Sequence, residues 1–402
     1  MASDPLTLTP KTRPPYRPPL RVHVVWHPAS RRGARYANLL YSWLTRDVRQ
    51  PTSRRLGVPV HFRSAPAAAG ERLPLPIDLE RARHSAVIAL VDDAMILDDD
   101  WAGYLRDLWR QTSSPGSPHR IFPVSLSAWA FQIDRTVAEN NFIRLHDLPR
   151  RARAGRLVLE VTHELCRMLL GRPRVGEAAA ERSPAPVSLF LSHAKADGEH
   201  HARGLKAHVD AELPLKTFFD ANDIARGYGF GDEIRGVIRA GDVVVAFRTD
   251  AYASRPWCRE EVLAAKLSGA PLVVVDALTR REERGFPYLG NAPTLRWDPA
   301  RPAAAQRDAI VRLALYTALG DVHFRRHLAN LCAALAVDGE PVILPRPPEL
   351  LSCLDLPRDA LVVYPDPPLG DEELRVLGRL RGDLVFRTPT LLAASAPARS
   401  AP

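Results

Sequence analysis

The chain has 402 residues, of which 46% are hydrophobic and 25% charged, enough to build two or three modest hydrophobic cores. Its formal net charge is +9, and its four cysteines form no CxxC pair and no ligand spacing with histidine, which argues against a disulfide framework or a metal site. No apolar run approaches the ~18 residues that span a bilayer, and the Pro-rich segment 1–19 lacks an apolar signal sequence, so a cytoplasmic protein without membrane contact is expected. Segment 1–19 is predicted to be disordered.

The first part of the chain, residues 20–172, alternates between strand and helix patterns. Short apolar, β-branched runs predict strands that are buried on both faces, as in a parallel sheet. The predicted strands are 20–26, 57–62, 85–93 and 120–126, and the predicted helices are 33–46, 77–83, 101–112 and 153–170. This order predicts an α/β domain.

A second part, residues 187–320, repeats the alternation after a predicted linker at 173–186. Its predicted strands are 187–192, 217–220, 242–247 and 271–278, and helices are predicted near 199–212, 231–240, 256–268 and 303–319. In such doubly wound folds, ligands bind outside the carboxyl ends of the strands. Ser192, Asp220 and Glu261 are therefore expected at the same edge of the sheet.

The helix after the strand at 242–247 carries the most informative residues. Ser254 is expected to cap it, and Pro256 suits its first turn. Trp257 and Glu261 are four residues apart and are expected to share one face, whereas Glu260 points roughly 100° away. Glutamate early in a helix also offsets the helix dipole, and this plainer explanation remains open from the spacing alone.

Three motifs in this second part resemble those of bacterial TIR (Toll/interleukin-1 receptor) domains. They are FLSHAKAD at 190–197, FFDANDIARGYGFGDEIRGVI at 218–238 and YASRPWCREEV at 252–262. The resemblance implies a flavodoxin-like, TIR-type fold and self-association. It also implies an enzyme of the type that cleaves NAD+ at the nicotinamide glycosidic bond, with NAD+ as substrate and no other cofactor. The essential glutamate of such enzymes lies four residues after the helix tryptophan, which here is Glu261.

The same resemblance suggests contacts to the nucleotide from Ser192, His193, Lys195, Asp220, Arg226 and Trp257. Lys195 lies where TIR enzymes bring a basic side chain near the phosphates, and Arg226 lies on a Gly-rich loop that suits a mobile cover. His193 is equally explained as a solvated loop residue, and Asp220 as a turn former. Some active TIR domains have an acidic residue near the position of Ala225, so the ribose contacts are not fixed by the motif.

The chemistry is consistent with a single carboxylate. Nicotinamide in NAD+ is already a cationic leaving group, so its departure needs no general acid and only a site that tolerates an oxocarbenium-like ribose. One carboxylate against the ribose hydroxyls supplies that stabilisation. A nucleoside deoxyribosyltransferase-like activity, which also uses one glutamate against a ribose, is an alternative. A non-catalytic TIR assembly scaffold is another.

The first part of the chain resembles a diverged TIR-like copy, with Trp101 placed where Trp257 stands in the second. Four residues after Trp101 is Leu105 in place of a glutamate, and Asp98, Asp99 and Asp100 are expected to cap the helix. This copy is therefore expected to be non-catalytic and to serve packing, partner contact or ligand sensing.

The remainder, residues 321–392, predicts a small α/β module followed by a disordered tail at 393–402. Strands are predicted at 341–344, 360–366 and 384–388, with helices at 322–336 and 371–380. The helix at 371 begins with three acidic residues, which opposes anion binding at its start and favours a structural extension.

Positive charge is concentrated in the first part of the chain. Residues 1–175 carry 27 Lys and Arg against 16 Asp and Glu, whereas the remainder carries 28 against 30. Nearly all of these cations are arginines scattered through predicted helices and loops, without interleaved aromatic residues. Nucleic-acid binding is therefore not expected.

The resemblance to TIR enzymes thus predicts the function of a TIR NAD+ glycohydrolase or cyclase. Such a protein is an NAD+ nucleosidase of the immune or antiphage effector type.

Overall fold

The structure, a computed structural model, describes residues 15–46, 56–114, 116–138, 141–171, 184–213, 215–219 and 242–395. These residues form two five-stranded sheets and one three-stranded sheet, and every paired strand is parallel to its neighbour. The predicted tandem of doubly wound α/β units with a small third module is confirmed.

The first unit holds a sheet in the order β2-β1-β3-β4-β5. Its strands are β1 (Leu20–Trp26), β2 (Val60–Arg63), β3 (His84–Val91), β4 (Arg120–Ser125) and β5 (Ile143–Arg144). Its helices are α1 (Arg31–Leu44), α2 (Asp93–Ile96), α3 (Asp99–Thr112), α4 (Arg135–Ala138) and α5 (Arg150–Leu170). The predicted helix at 77–83 is a single 3-10 turn, Leu79–Arg81.

The second unit repeats this strand order, as β10-β9-β8-β6-β7. Its strands are β6 (Ser188–His193), β7 (Lys216–Phe219), β8 (Val243–Arg248), β9 (Leu272–Asp276) and β10 (Thr294–Arg296). Its described helices are α6 (Glu199–Glu212), α7 (Pro256–Leu267) and α8 (Ala303–Leu335). Both sheets thus have the flavodoxin-like order, with a switch point between the first and third strands along the chain.

The third module packs against the end of α7. It contains β11 (Val342–Ile343), α9 (Leu350–Cys353), β12 (Leu361–Val363), α10 (Asp371–Arg381), β13 (Val385–Arg387) and α11 (Pro389–Ser395). The Lys266 ammonium lies 2.7 Å from the Glu349 carboxylate, and the Arg325 guanidinium donates to the carbonyls of Gly269 and Ile343. Because the Lys266 side chain is almost completely buried by this contact, the pair ties the module firmly to α7.

Helix α8 differs from the two helices predicted at 303–319 and 322–336, because the structure forms one helix of 33 residues. Gly320 lowers helix propensity at the predicted break. Its neighbours Leu319 and Asp321 are buried, however, and Asp321 accepts a hydrogen bond from Arg346. Tertiary packing therefore carries the helix through the glycine, and the predicted boundary at 320/321 falls inside it.

One hydrophobic core joins the two large units. Helices α5 and α8 lie side by side between the sheets, and their apolar faces belong to the same cluster as alternate residues of β1, β3, β6 and β8. The Cys166 thiol in α5 donates to the carbonyl of Leu315 in α8, and Trp43 of α1 packs edge-on against Tyr316 of α8. The two units share this core and do not sit apart on a flexible tether.

Two predicted disordered ends are partly ordered. Within 1–19, the described residues from 15 onward are held in place, since Tyr16 hydrogen-bonds His327 and the carbonyls of Pro18 and Pro19 accept backbone bonds from the start of β3. Residues 393–395 complete α11. Most of the linker predicted at 173–186 lies outside the described residues, so it remains a prediction. Among the described helices, none combines the length and apolarity needed to cross a membrane.

We expect Leu315→Ala to lower the free energy of unfolding by about 2–5 kcal/mol, because it opens a cavity in the shared core. The loss should appear in a single denaturant transition, with circular dichroism and tryptophan fluorescence coinciding, since both units use this core. Leu267→Ala, on the exposed side of α7, is the control and should change stability little. Separate transitions for the two probes would contradict a shared core.

Candidate functional site

The candidate site lies at the carboxyl edge of the second sheet, at its switch point between β6 and β8. Side chains alternate along β6, so that Leu189 and Leu191 enter the core shared with α6 and α8, whereas Phe190 enters the core beneath α7. Ser192 is therefore directed to the α7 side. The buried face of α7 presents Cys258, Glu261 and Val262 to the sheet.

Glu261 is buried, with 4% of its surface exposed, and contacts another predicted site residue. The Ser192 hydroxyl donates to Oε2 of Glu261 over 2.5 Å. The sequence predicts that Glu261 and Trp257 share one face of the helix, at the ligand-binding edge of the sheet. The structure instead turns Glu261 inward and leaves Trp257 42% exposed, so these two side chains do not line one surface.

Tyr252 extends this contact into a chain of hydrogen bonds. Its hydroxyl lies 2.6 Å from Ser192 Oγ and 3.5 Å from the carbonyl of Cys258. Because Ser192 has one proton and gives it to Glu261, Tyr252 is the donor toward Ser192. Burial, and to a smaller extent the nearby Cys258 and Glu261, raise the pKa of Tyr252 well above its usual value. Tyr252 therefore stays protonated as a donor at neutral pH.

The start of α7 differs from the prediction in its cap. Arg255, in extended conformation, is the N-cap residue without a side-chain cap, and Pro256 occupies the first turn as predicted. The Ser254 hydroxyl instead donates to the carbonyl of Ala251 within a 3-10 turn over Tyr252–Ser254. A residue before proline avoids helical backbone angles, which places the N-cap at Arg255, one residue after the expected Ser254.

The other predicted contacts do not all converge. His193 lies on the opposite face of β6 from Ser192, buried, with Nδ1 3.2 Å from the carbonyl of Leu191. Lys195 is exposed in the following loop. Asp220 and Arg226 lie outside the described residues, so their predicted contacts remain predictions. The structure thus brings together Ser192 and Glu261, and adds Tyr252.

Asp197, not singled out from sequence, shapes this edge of the sheet. Its carboxylate accepts from the Thr249 hydroxyl at 2.7 Å and from the Ala251 amide at 2.9 Å. It therefore clamps the turn that leads to Tyr252 and α7. Both Asp197 and Tyr252 lie inside the motifs that carry the family resemblance, but the spacing of residues in the sequence does not predict which residues they contact.

The two units can be aligned on their helix starts, Asp99 of α3 and Pro256 of α7. This alignment places Trp101 opposite Cys258 and Tyr104 opposite Glu261, and both Trp101 and Cys258 are buried. On this alignment Trp257 stands opposite Asp100, one residue before Trp101. Asp98 caps α3 as expected, accepting from the amides of Asp100 and Trp101.

A cavity of about 170 Å³ opens at the same sheet edge but on the other face. It is lined by loop residues after the strands and by the start of α6, including Asp197, His201, Asp250, Thr279 and Trp297. His201 stacks on Phe247 and meets Trp297 edge-on. Glu261 is not among the lining residues, so this cavity and the Ser192–Glu261 contact are separate features.

Comparison with known proteins supports the family resemblance for the second unit. Residues 189–297 match the family model described as "TIR domain", and this part of the chain is a TIR domain. A search of curated proteins finds no match to the chain. Among solved structures, the tagatose-6-phosphate ketose/aldose isomerase from Escherichia coli is 12% identical, over 78% of this chain and 83% of that chain. Its TM-score of 0.22 carries no inference about fold or function.

Tyr252→Phe should lower the free energy of unfolding by about 1 kcal/mol, because it removes the donor toward Ser192 while keeping the ring in the core. Denaturant unfolding measures this change. Tyr288→Phe removes a hydroxyl from an exposed tyrosine and should be neutral. Equal effects of the two substitutions would contradict the hydrogen-bond chain.

The acid side of the stability curve should depend on His201. Burial, and then the charges of His200 and Arg307, lower the pKa of His201 from 6.5 to about 4. The unfolded chain therefore binds a proton that the folded chain refuses, and stability is lost as pH falls from about 6.5 toward 4. His201→Phe should lose less stability than wild type over this window, and His200→Gln, which removes one of the charges that lower this pKa, should recover a smaller part of the loss. Identical acid profiles for wild type and His201→Phe would contradict this assignment.

Proposed function

We propose that this chain is an NAD+ nucleosidase that cleaves the bond between nicotinamide and ribose, with Glu261 as the carboxylate that contacts the ribose. The observation that carries the proposal is the buried chain of hydrogen bonds from Tyr252 through Ser192 to Glu261 at the switch point of the TIR sheet. Ligands of doubly wound folds bind at this position.

The arrangement favours chemistry at Glu261 over a purely structural role. A glutamate is rarely buried, because removing a carboxylate from water is costly. Residues kept at such a cost near a ligand-binding edge are candidates for function. Three elements, β6, the turn before α7 and α7 itself, supply the three side chains, so their convergence depends on the tertiary fold.

A ribose hydroxyl can take the place of the Ser192 hydroxyl as the donor to Glu261. The carboxylate then stabilises positive charge as it develops on the ribose while nicotinamide departs as a neutral molecule. Ser192 and Tyr252 hold the carboxylate in position before the substrate arrives. In this proposal they are positioning residues, and water or a second atom of the nucleotide accepts the ribosyl group to give the hydrolysed or cyclic product.

The decisive experiment measures nicotinamide release from NAD+ by chromatography, at protein concentrations high enough for self-association. We expect Glu261→Gln to lower the rate by a factor on the order of 10²–10³, because the neutral amide cannot stabilise the oxocarbenium-like ribose. Glu260→Gln, on the exposed face of the same helix, is the matched control and should retain activity. Release that persists in Glu261→Gln would exclude the proposed role of Glu261.

A TIR assembly scaffold is the second candidate, and two observations favour it. Glu261 is buried in the described structure, and Trp257 beside it exposes a large aromatic surface. Under this alternative, Trp257→Ala would weaken self-association measured by analytical ultracentrifugation, because exposed aromatic residues commonly anchor interfaces. Glu261→Gln would leave association unchanged, and neither wild type nor variant would release nicotinamide when assembled.

A further inference from the structure

The first unit carries a group of basic and aromatic side chains on one face of its sheet that the TIR chemistry does not use. In β1 and β2, His23 pairs with His61, and Val25 pairs with Arg63. Because side chains alternate along a strand, Arg21 and His23 share a face with His61 and Arg63. The other face of β1 presents Val22 and Val24 to the shared core.

These side chains leave an unusual number of polar atoms without partners. Tyr104 of α3 belongs to the group, since its hydroxyl interacts electrostatically with Arg63. Five buried atoms of the group have no hydrogen-bond partner among the described residues: Nε of Arg21, both ring nitrogens of His23, Nε of Arg63 and the hydroxyl of Tyr104. His23 is only 2% exposed. Buried polar groups are nearly always paired, so a cluster of unpaired groups of this size marks a candidate binding site.

The chemistry of the unpaired atoms defines that partner. Both arginine nitrogens are obligate donors, Tyr104 offers a hydroxyl proton, and neutral His23 offers one further ring N–H. Burial, then the charges of Arg63, His61 and Arg21, lower the pKa of His23 to about 3, so its ring is neutral at pH 7. The group therefore needs acceptor atoms that carry negative charge.

The part of the chain that the structure describes supplies little of that charge. Asp78 is the carboxylate that acts on Arg21 and His23, but its side chain is already bonded to Arg81 at 3.1 Å and to the amide of Glu80. Burial and then the charge of Arg81 lower the pKa of Arg21, and Arg63 adds a smaller repulsion. Among the described residues, the guanidinium groups of Arg21 and Arg63 thus have no carboxylate of their own.

The cover of this face is also unusual for the fold. Residues 64–83, all described, connect β2 to β3 with a single 3-10 turn, Leu79–Arg81, and without an α-helix. Apolar helix packing therefore does not seal the basic face, and Arg21, His61 and Arg63 remain partly accessible. The imidazole rings of His23 and His61 stack, with centroids 5.5 Å apart, and form the floor.

We propose that this basic face, formed by Arg21, His23, His61, Arg63 and Tyr104, binds the phosphate group of a small phosphorylated molecule. A phosphate presents three free oxygens, which can accept from both guanidinium groups and from Tyr104 or His23 together. A carboxylate has two oxygens and would satisfy fewer of these donors. The first unit thus acts as a ligand-binding domain beside the TIR domain.

The experiment titrates the full-length chain with inorganic phosphate and, separately, with ribose 5-phosphate, and follows binding by calorimetry. We expect Arg63→Gln to weaken binding about tenfold or more, since it removes a charge-assisted donor. Arg110→Gln, on the exposed side of α3, removes the same charge and should bind as wild type. Tighter binding of ribose 5-phosphate than of inorganic phosphate would identify a phosphorylated metabolite, and equal binding would identify the phosphate group alone as the ligand.

Tyr104→Phe is a second variant, which keeps the test valid if Arg63→Gln fails to fold. Because the Tyr104 hydroxyl has no partner among the described residues, its removal should leave thermal stability unchanged or higher. Phosphate affinity should nevertheless fall several-fold. The proposal is overturned if millimolar phosphate does not bind wild type, or if Arg63→Gln and Arg110→Gln weaken binding equally.

Discussion

The packing of α5 against α8 is the constraint on which the rest of the structure depends. Each helix covers the face of its own sheet and at the same time buries apolar residues of the other unit, so neither sheet has a complete core alone. Burial of this kind is the main favourable term in folding. This common core positions the carboxyl edge of the second sheet, the basic face of the first unit and the third module.

The two units show how one fold supports different chemistry at equivalent positions. In the TIR domain, Ser192 and Glu261 meet under α7 at the switch point. In the first unit, Val25 and Tyr104 stand at the equivalent positions, and polar groups gather instead on the neighbouring strands around His23 and Arg63. The fold therefore fixes where ligands can bind, whereas the side chains decide which ligand is suited to each unit.

Much of the fold could be predicted from the sequence because apolar strands such as 242–247 are distinct and alternate regularly with helices. The shared core could not, since an amphipathic helix such as 153–170 indicates a buried face without naming the element that covers it. The single helix at 303–335 was also missed, because local propensity suggested a break at Gly320 that tertiary packing overrides.

The candidate site was predicted in part for similar reasons. Motif order identified Ser192 and Glu261, and the fold brings them together. The burial of Glu261 follows from the periodicity of Cys258, Val262 and Ala265. These residues mark the inner face of α7, and Glu261 lies on that face. The partner Tyr252 could not be predicted, because its contact depends on the turn that Asp197 holds across the edge of the sheet.

The unbroken course of α8 has a consequence for how the protein can be divided. At 1.5 Å per residue its 33 residues extend about 50 Å, from the TIR sheet to the strands of the third module. A fragment that ends at residue 320 would contain only the first half of this helix. It would also lack Glu349, the acidic partner of Lys266. The TIR domain of this chain is therefore built as a segment of a continuous scaffold, and its boundaries in sequence do not mark an autonomous folding unit.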